Sequence, residues 1–318
     1  MSTWLLCLVM IAAVEHGEAR FTPTPAEVDV PERFRLEERR FPYEIEPQLE
    51  TANYRVSTVR FPSPVVSADV DNNTVHAEYF QAKAPGKRPA VVVLHILGAD
   101  FALSRYLAAR LADRGVSALF IKLPYYGERR PKGGAKFLSH DIDRSVLAMR
   151  QGVCDVRYAA AWLGGRDEVD ATKLGVTGIS LGGIVSSLAA SIDPTLNRAA
   201  LLLAGGSLHD ILWEMPERDA MTAREAWIAS GRTKAQFQAL TTPFDPLTYA
   251  SRLKGKRVIM MDGNVDEVIP PYSATALWEA AGRPPIEWYD CGHYSSVGFL
   301  LPAIRSTVEF FAVDNPKL

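Results

Sequence analysis

The sequence predicts an α/β fold: a mainly parallel sheet with helices on both faces and a helical cap inserted late in the chain. Three observations predict it. From residue 90 onward, short apolar runs rich in β-formers alternate with stretches of helical spacing. One junction between such a run and a helical stretch is a glycine-bounded turn, Gly178-Ile179-Ser180-Leu181-Gly182. Residues 205–255 show no strand pattern at all and are too many for a plain loop.

The elements follow in order. Residues 20–53 are rich in Pro, Glu and Arg with little periodicity and read as an extended N-terminal arm. Residues 54–60 and 75–80 hold β-formers around a turn at Asp71-Asn72-Asn73 and read as antiparallel edge strands. Residues 90–95 (AVVVLH) are a wholly apolar run, as expected of a strand buried on both faces. Residues 103–114 have helical spacing and stop at Gly115, a natural C-cap. The strand at 117–123 is stopped by Pro124, and a long helix is expected over 139–163. Then come a strand at 174–179, a helix at 181–191 and a strand at 199–203. After the cap, strands at 257–262 and 286–289 alternate with helices at 272–281 and 298–313. Residues 54–318 therefore read as one domain, with the cap at about 205–255 over the C-terminal edge of the sheet.

Composition sets the bounds. The chain has 318 residues, 47% hydrophobic and 23% charged, enough for a sizeable core and unlike a disordered chain. Its formal net charge of −2 gives no electrostatic reason to bind nucleic acid or an anionic membrane. Residues 4–14 (WLLCLVMIAAV) form an apolar run of signal-peptide length, and Gly17-Glu18-Ala19 offers small residues for cleavage near Ala19. Residues 1–19 are thus expected to be a signal peptide and the product secreted or periplasmic. No Lys or Arg precedes the run, so an uncleaved anchor and a misplaced start remain the alternatives. No later segment is apolar enough for stable membrane insertion. Cleavage would leave Cys154 and Cys291, two cysteines rather than a disulfide framework.

The chemistry centres on Ser180. A strand-to-helix turn this tight forces the serine into a strained backbone and excludes side chains two positions to either side. The pattern alone would arise by chance in about one chain in ten of this length. The strand before it and the helix after it make it specific. A serine needs a base, and of six histidines His293 is the candidate, because Asp290-Cys291-Gly292-His293 follows the last strand at the same sheet edge. The imidazole needs a carboxylate. Asp266, just beyond the strand at 257–261, is the first choice, then Asp262, expected to point into the turn, then Glu267, expected to face away. An oxyanion hole needs two backbone amides. Leu181 and Leu97 are expected to supply them, with Ile96 in second place to Leu97, and His95 is expected to brace that loop. Tyr125 and Tyr126 follow a strand and could hydrogen-bond substrate, and the neighbouring arginines could meet an acidic group, although a solvated basic loop explains them as well. Trp213 and Trp227 read first as buried packing and second as an apolar or sugar-ring surface.

These residues carry a resemblance. The strand order, the elbow at Ser180, the His95-x-x-Gly98 loop, the Gly263-x-x-Asp266-x-x-x-Pro270 segment and the Gly292-His293 ending resemble the α/β-hydrolase superfamily. Within it they look most like the dienelactone hydrolase and acetyl xylan esterase branch, over residues 54–318. The chain departs from that branch in two ways: dienelactone hydrolases usually use cysteine where Ser180 stands, and the common His-Gly pair is His95-Ile96. The resemblance implies the α/β-hydrolase fold and hydrolysis of a small-molecule or glycan ester through an acyl-enzyme, with no metal and no cofactor. A serine peptidase or amidase on the same machinery, and a non-catalytic binding protein of the same fold, are the alternatives.

Overall fold

The structure, a computed structural model, describes residues 14–98, 101–139, 141–215 and 218–312. Its parallel half grows from the apolar runs: β5 (Arg88–Leu94), β6 (Ser117–Ile121), β7 (Val169–Ile179), β8 (Leu196–Leu202), β9 (Arg257–Gly263) and β10 (Ile286–Tyr289). Alternation along β5 shows why these strands must be apolar throughout. Ala90, Val92 and Leu94 pack on one face with Val153 and Val156 of α2 (Ile142–Gly164) and Val185 and Leu188 of α3 (Leu181–Ile192). Val91 and Val93 pack on the other with Leu107 and Leu111 of α1 (Ala102–Asp113) and Ile304 and Val308 of α9 (Leu300–Ala312). Neither face sees water, so neither tolerates a polar position.

The antiparallel half holds β1 (Glu15–Phe21), β2 (Arg39–Glu50), β3 (Tyr54–Pro62) and β4 (Thr74–Ala82). Among the described residues the sheet has ten strands in the order β1-β2-β3-β4-β6-β5-β7-β8-β9-β10. β4 runs antiparallel to β6, and every pairing from β6 to β10 is parallel. The antiparallel strands expected around Asp71-Asn72-Asn73 are β3 and β4, in register from Tyr54↔Ala82 to Pro62↔Thr74, but neither is the edge strand expected: β3 lies between β2 and β4, and β4 between β3 and β6.

Residues 20–53, expected as an extended N-terminal arm, give the end of β1 and the strand β2, joined by two short 3-10 turns at 25–29 and 32–34. β2 pairs with β1 on one side and β3 on the other. Phe21, Phe34 and Phe41 are buried, and Phe41 stacks on Tyr158 of α2 with ring centroids 4.4 Å apart. Arg157 fixes the arm from below. Its guanidinium meets Glu27 at 2.5 Å and Asp193 at 3.0 Å and donates to the Phe34 carbonyl, all in the interior. A buried guanidinium is tolerable only when its donors are matched in this way, and removing one partner of such a cluster costs about 3–5 kcal/mol. Residues 1–13, with most of the apolar N-terminal run, lie outside the described residues. The cleavage position expected near Ala19 lies inside β1, whose ladder runs from Glu15↔Ile45 to Phe21↔Arg39.

The strandless stretch is helical. It holds α4 (Leu208–Glu214), α5 (Arg218–Ala229), α6 (Lys234–Thr241) and α7 (Pro246–Tyr249), followed after β9 by α8 (Pro271–Ala280). Thr233 and Gln236 form a reciprocal capping box at the start of α6. The cap tryptophans pack among cap residues. Trp227 is buried, donates Nε1–H to the Thr233 carbonyl at 2.9 Å and lies under the Arg232 guanidinium, while Trp213 sits 5.3 Å from Phe237. Cys154 and Cys291 are both buried and free, and burial pushes the Cys154 thiol up to about 12. Among the described residues no helix is long and apolar enough to cross a membrane.

Candidate active site

Three sequence-distant side chains meet at the C-terminal ends of the parallel strands. Ser180 stands between β7 and α3 with φ 56° and ψ −117°, a backbone conformation an L-residue adopts at a cost of about 1–3 kcal/mol. The surroundings are tight on both sides of it. A Cβ on Gly178 would lie 2.4 Å from the Gly182 carbonyl carbon, and one on Gly182 would lie 2.7 Å from the His95 carbonyl oxygen. Glycine at both positions is therefore a steric requirement, and the turn closes by Ser180 N–H donating to the Leu202 carbonyl at 2.9 Å.

His293 and Asp266 complete the cluster. Ser180 Oγ is 2.9 Å from His293 Nε2, and His293 Nδ1 is 2.8 Å from Asp266 Oδ2. Asp266 is buried, and its other oxygen accepts the amides of Val268 at 2.8 Å and Ile269 at 2.7 Å. The carboxylate is therefore held before it meets the imidazole. The relay runs from hydroxyl to imidazole to carboxylate, the arrangement that lets a serine lose its proton as it attacks.

Neither of the other acidic candidates is bonded to the His293 ring. Asp262, expected to point into the turn, is fully buried at the end of β9 and accepts the Ala204 amide at 2.9 Å. Burial, with Asp266 nearby, pushes its carboxyl well above the usual carboxylate range. Glu267 is exposed and bonds the main chain of His293 at 2.8 Å, not its ring.

The loop after β5 is braced by His95. Its Nδ1–H donates to the Ile96 carbonyl at 2.7 Å and its Nε2 accepts the Leu123 amide at 3.0 Å, so both ring nitrogens are committed to main chain. Burial lowers its pKa to about 4. The unfolded chain therefore binds a proton here between about pH 6.5 and 4 that the folded chain does not. Stability from this group is present above pH 6.5 and falls by about 3 kcal/mol as pH drops through that window. Urea unfolding across the window is expected to show that slope in the wild type and to lose it in His95→Asn.

Leu97 is exposed in this loop, Ile96 is half-buried, and Leu181 opens α3, where amides have no acceptor within the helix. The two tyrosines differ from expectation. Tyr125 is buried with φ 67°, its amide donates to Asn72 Oδ1 at 3.0 Å, and its hydroxyl bonds Asp69 and Ser67. That hydroxyl is committed to the turn before β4 and is not offered to a substrate. Tyr126 rests edge-on against His95 at 4.4 Å and its hydroxyl accepts the Gly98 amide, so it braces the same loop. Of the neighbouring arginines, Arg129 is fully buried against Asp155 at 2.8 Å and Arg130 is exposed. His140 lies outside the described residues. Among the described residues no group of three His, Cys, Asp or Glu is placed to hold a metal. A hollow of about 610 Å³ lined by Lys254, Arg257, Pro285 and Phe310 opens where β9 begins, away from Ser180.

Comparisons with known proteins bear on the family and the fold. Residues 25–204 match the family described as Alpha/beta hydrolase domain containing 18, and residues 148–290 match the prolyl oligopeptidase family. Two uncharacterized proteins of Mycobacterium tuberculosis, from strains CDC 1551 / Oshkosh and H37Rv, are each 27% identical over 217 residues, 66% of this chain. The match covers 50% of their length, so the chain spans about half of the curated relatives it matches. Among solved structures, an acetyl xylan esterase from Paenibacillus sp. R4 superposes with a TM-score of 0.70 at 20% identity, covering 84% of this chain and 88% of that one. Acetyl xylan esterase 1 from Thermoanaerobacterium sp. JW/SL YS485 gives 0.65 at 21% identity, covering 84% and 87%. A Klebsiella pneumoniae protein assigned to the dienelactone hydrolases gives 0.54 at 19%, covering 75% and 93%. All three share the fold expected from the sequence motifs. With more than half of its length matched, the chain belongs to the alpha/beta hydrolase domain containing 18 family and has the α/β-hydrolase fold.

Proposed function

We propose that this protein is a serine hydrolase that cleaves carboxylic esters through an acyl-enzyme. The observation that carries the reading is the unbroken hydrogen-bonded relay from Ser180 Oγ through His293 to Asp266, built at a strained turn. In this mechanism Ser180 Oγ attacks the ester carbonyl while His293 Nε2 takes its proton. Asp266 holds the imidazole in the tautomer with Nδ1 protonated and stabilises the imidazolium. The amides of Leu181 and Leu97 receive the oxyanion. His293 then protonates the leaving alcohol, activates a water on the acyl-enzyme, and returns the proton to Ser180 as the acid departs.

The substrate is a small-molecule or glycan ester. Support comes from two solved neighbours of the same fold that are acetyl xylan esterases. The match of residues 148–290 with the prolyl oligopeptidase family favours a second reading, an amide or peptide substrate on the same machinery. Export is part of the proposal and is supported by the apolar run at 4–14. A fluorophosphonate probe on the purified protein tests the reading without knowledge of the natural substrate. The expected result is a single adduct that peptide mapping puts on Ser180. Absence of labelling at Ser180 would favour a binding protein of this fold. Parallel assays with p-nitrophenyl acetate, longer acyl esters and aminoacyl anilides separate ester from amide hydrolysis.

A further inference from the structure

The loop that presents His293 is short, exposed at several positions and set between β10 and α9. Yet each polar atom of His293 has a partner. Nε2 meets Ser180 and Nδ1 meets Asp266. The carbonyl accepts Ser296 Oγ–H at 2.6 Å, and the amide donates to Glu267 Oε2 at 2.8 Å. The Glu267 carboxylate also receives the Tyr294 amide, and these main-chain bonds hold its pKa below the usual glutamate value. Two consecutive carboxylates thus grip one residue, Asp266 by the ring and Glu267 by the backbone. Glycine at 292 makes the second grip possible, because a Cβ there would lie 2.3 Å from Glu267 Oε2.

We propose that Glu267 is a positioning residue for catalysis, fixing the His293 main chain so that the imidazole stays in line between Ser180 and Asp266. The inference rests on the reading of His293 as the base. The physical case is that a ring hydrogen-bonded at both nitrogens still moves if its backbone drifts, and a misplacement of about 1 Å can cost 10²-fold in rate. An exposed carboxylate bonded to two loop amides contributes little to global stability, so its effect falls on turnover.

The test uses p-nitrophenyl acetate turnover and the rate of fluorophosphonate labelling for Glu267→Ala, Glu267→Gln and Gly292→Ala, with Asp266→Asn and Ser180→Ala as references. Glu267→Ala is expected to lower kcat and the labelling rate by about 10- to 100-fold, with KM and the melting temperature little changed. Glu267→Gln keeps an acceptor oxygen and is expected to stay within about three-fold of wild type. Gly292→Ala reaches the same contact from the other side and is expected to behave like Glu267→Ala. Wild-type kcat in Glu267→Ala, or Glu267→Gln as slow as Glu267→Ala, overturns the proposal. If Asp266→Asn and Ser180→Ala also remain active, the reading of the relay itself has failed; if only they are impaired, the positioning role alone has failed.

Discussion

Ser180→Ala is expected to lower ester turnover by about 10⁵- to 10⁶-fold, the scale on which removing a serine nucleophile acts. The loss is chemical rather than structural. Residue 180 keeps its φ of 56° through the glycines at 178 and 182 and through the bond from its amide to the Leu202 carbonyl, and none of these needs the hydroxyl. The unfolding free energy is therefore expected to change by less than about 1 kcal/mol. The checks are kcat on p-nitrophenyl acetate and a urea melt on the same preparation. Turnover within ten-fold of wild type in a folded Ser180→Ala variant would remove Ser180 from the mechanism.

Asp266→Asn is expected to lower kcat by about 10⁴-fold, and the hydrogen bonds around the carboxylate give the reason. Asp266 Oδ1 already accepts two amides, from Val268 and Ile269. The asparagine carbonyl must take that position, because the NH₂ group cannot accept a bond. The NH₂ is then turned toward His293 Nδ1 and donates to it. The imidazole is forced into the tautomer with Nε2 protonated, which has no lone pair for the Ser180 proton. Packing is unchanged, so the variant is expected to fold, with its remaining activity rising with hydroxide concentration. Measuring kcat from pH 6 to 10 checks this, and a loss below ten-fold would place the orienting carboxylate elsewhere.

Much of this could be read from the chain before any coordinates. The parallel strands were legible because burial on both faces leaves an unbroken apolar run, as in residues 90–94. Ser180, His293 and Asp266 were legible because each lies at a fixed offset from the end of such a strand, and the structure brings them within hydrogen-bond range. β2 was harder to see, because the alternation of Phe41, Tyr43 and Ile45 is short, only Phe41 of the three is fully buried, and Pro42 and Pro47 interrupt the run. The partners of the Tyr125 hydroxyl were hidden for a different reason. Asp69 and Ser67 are more than fifty positions away and show themselves only when the chain is folded. The bond from His293 N–H to Glu267 leaves no sequence signature, since a main-chain donor is present at every non-proline residue. Only the glycine at 292, read as a space for a carboxylate, could have hinted at it.

The buried Arg157 cluster has a consequence for how the chain is born. Glu27 and its partner are separated by 130 positions, so at translation speeds of 5–20 residues per second the N-terminal segment emerges roughly 6 to 26 s before α2 exists to receive it. Throughout that interval Phe21, Phe34 and Phe41 have no core to enter. Three unsheltered aromatic rings in a nascent segment favour non-native association until α2 and its Arg157 arrive to cover them.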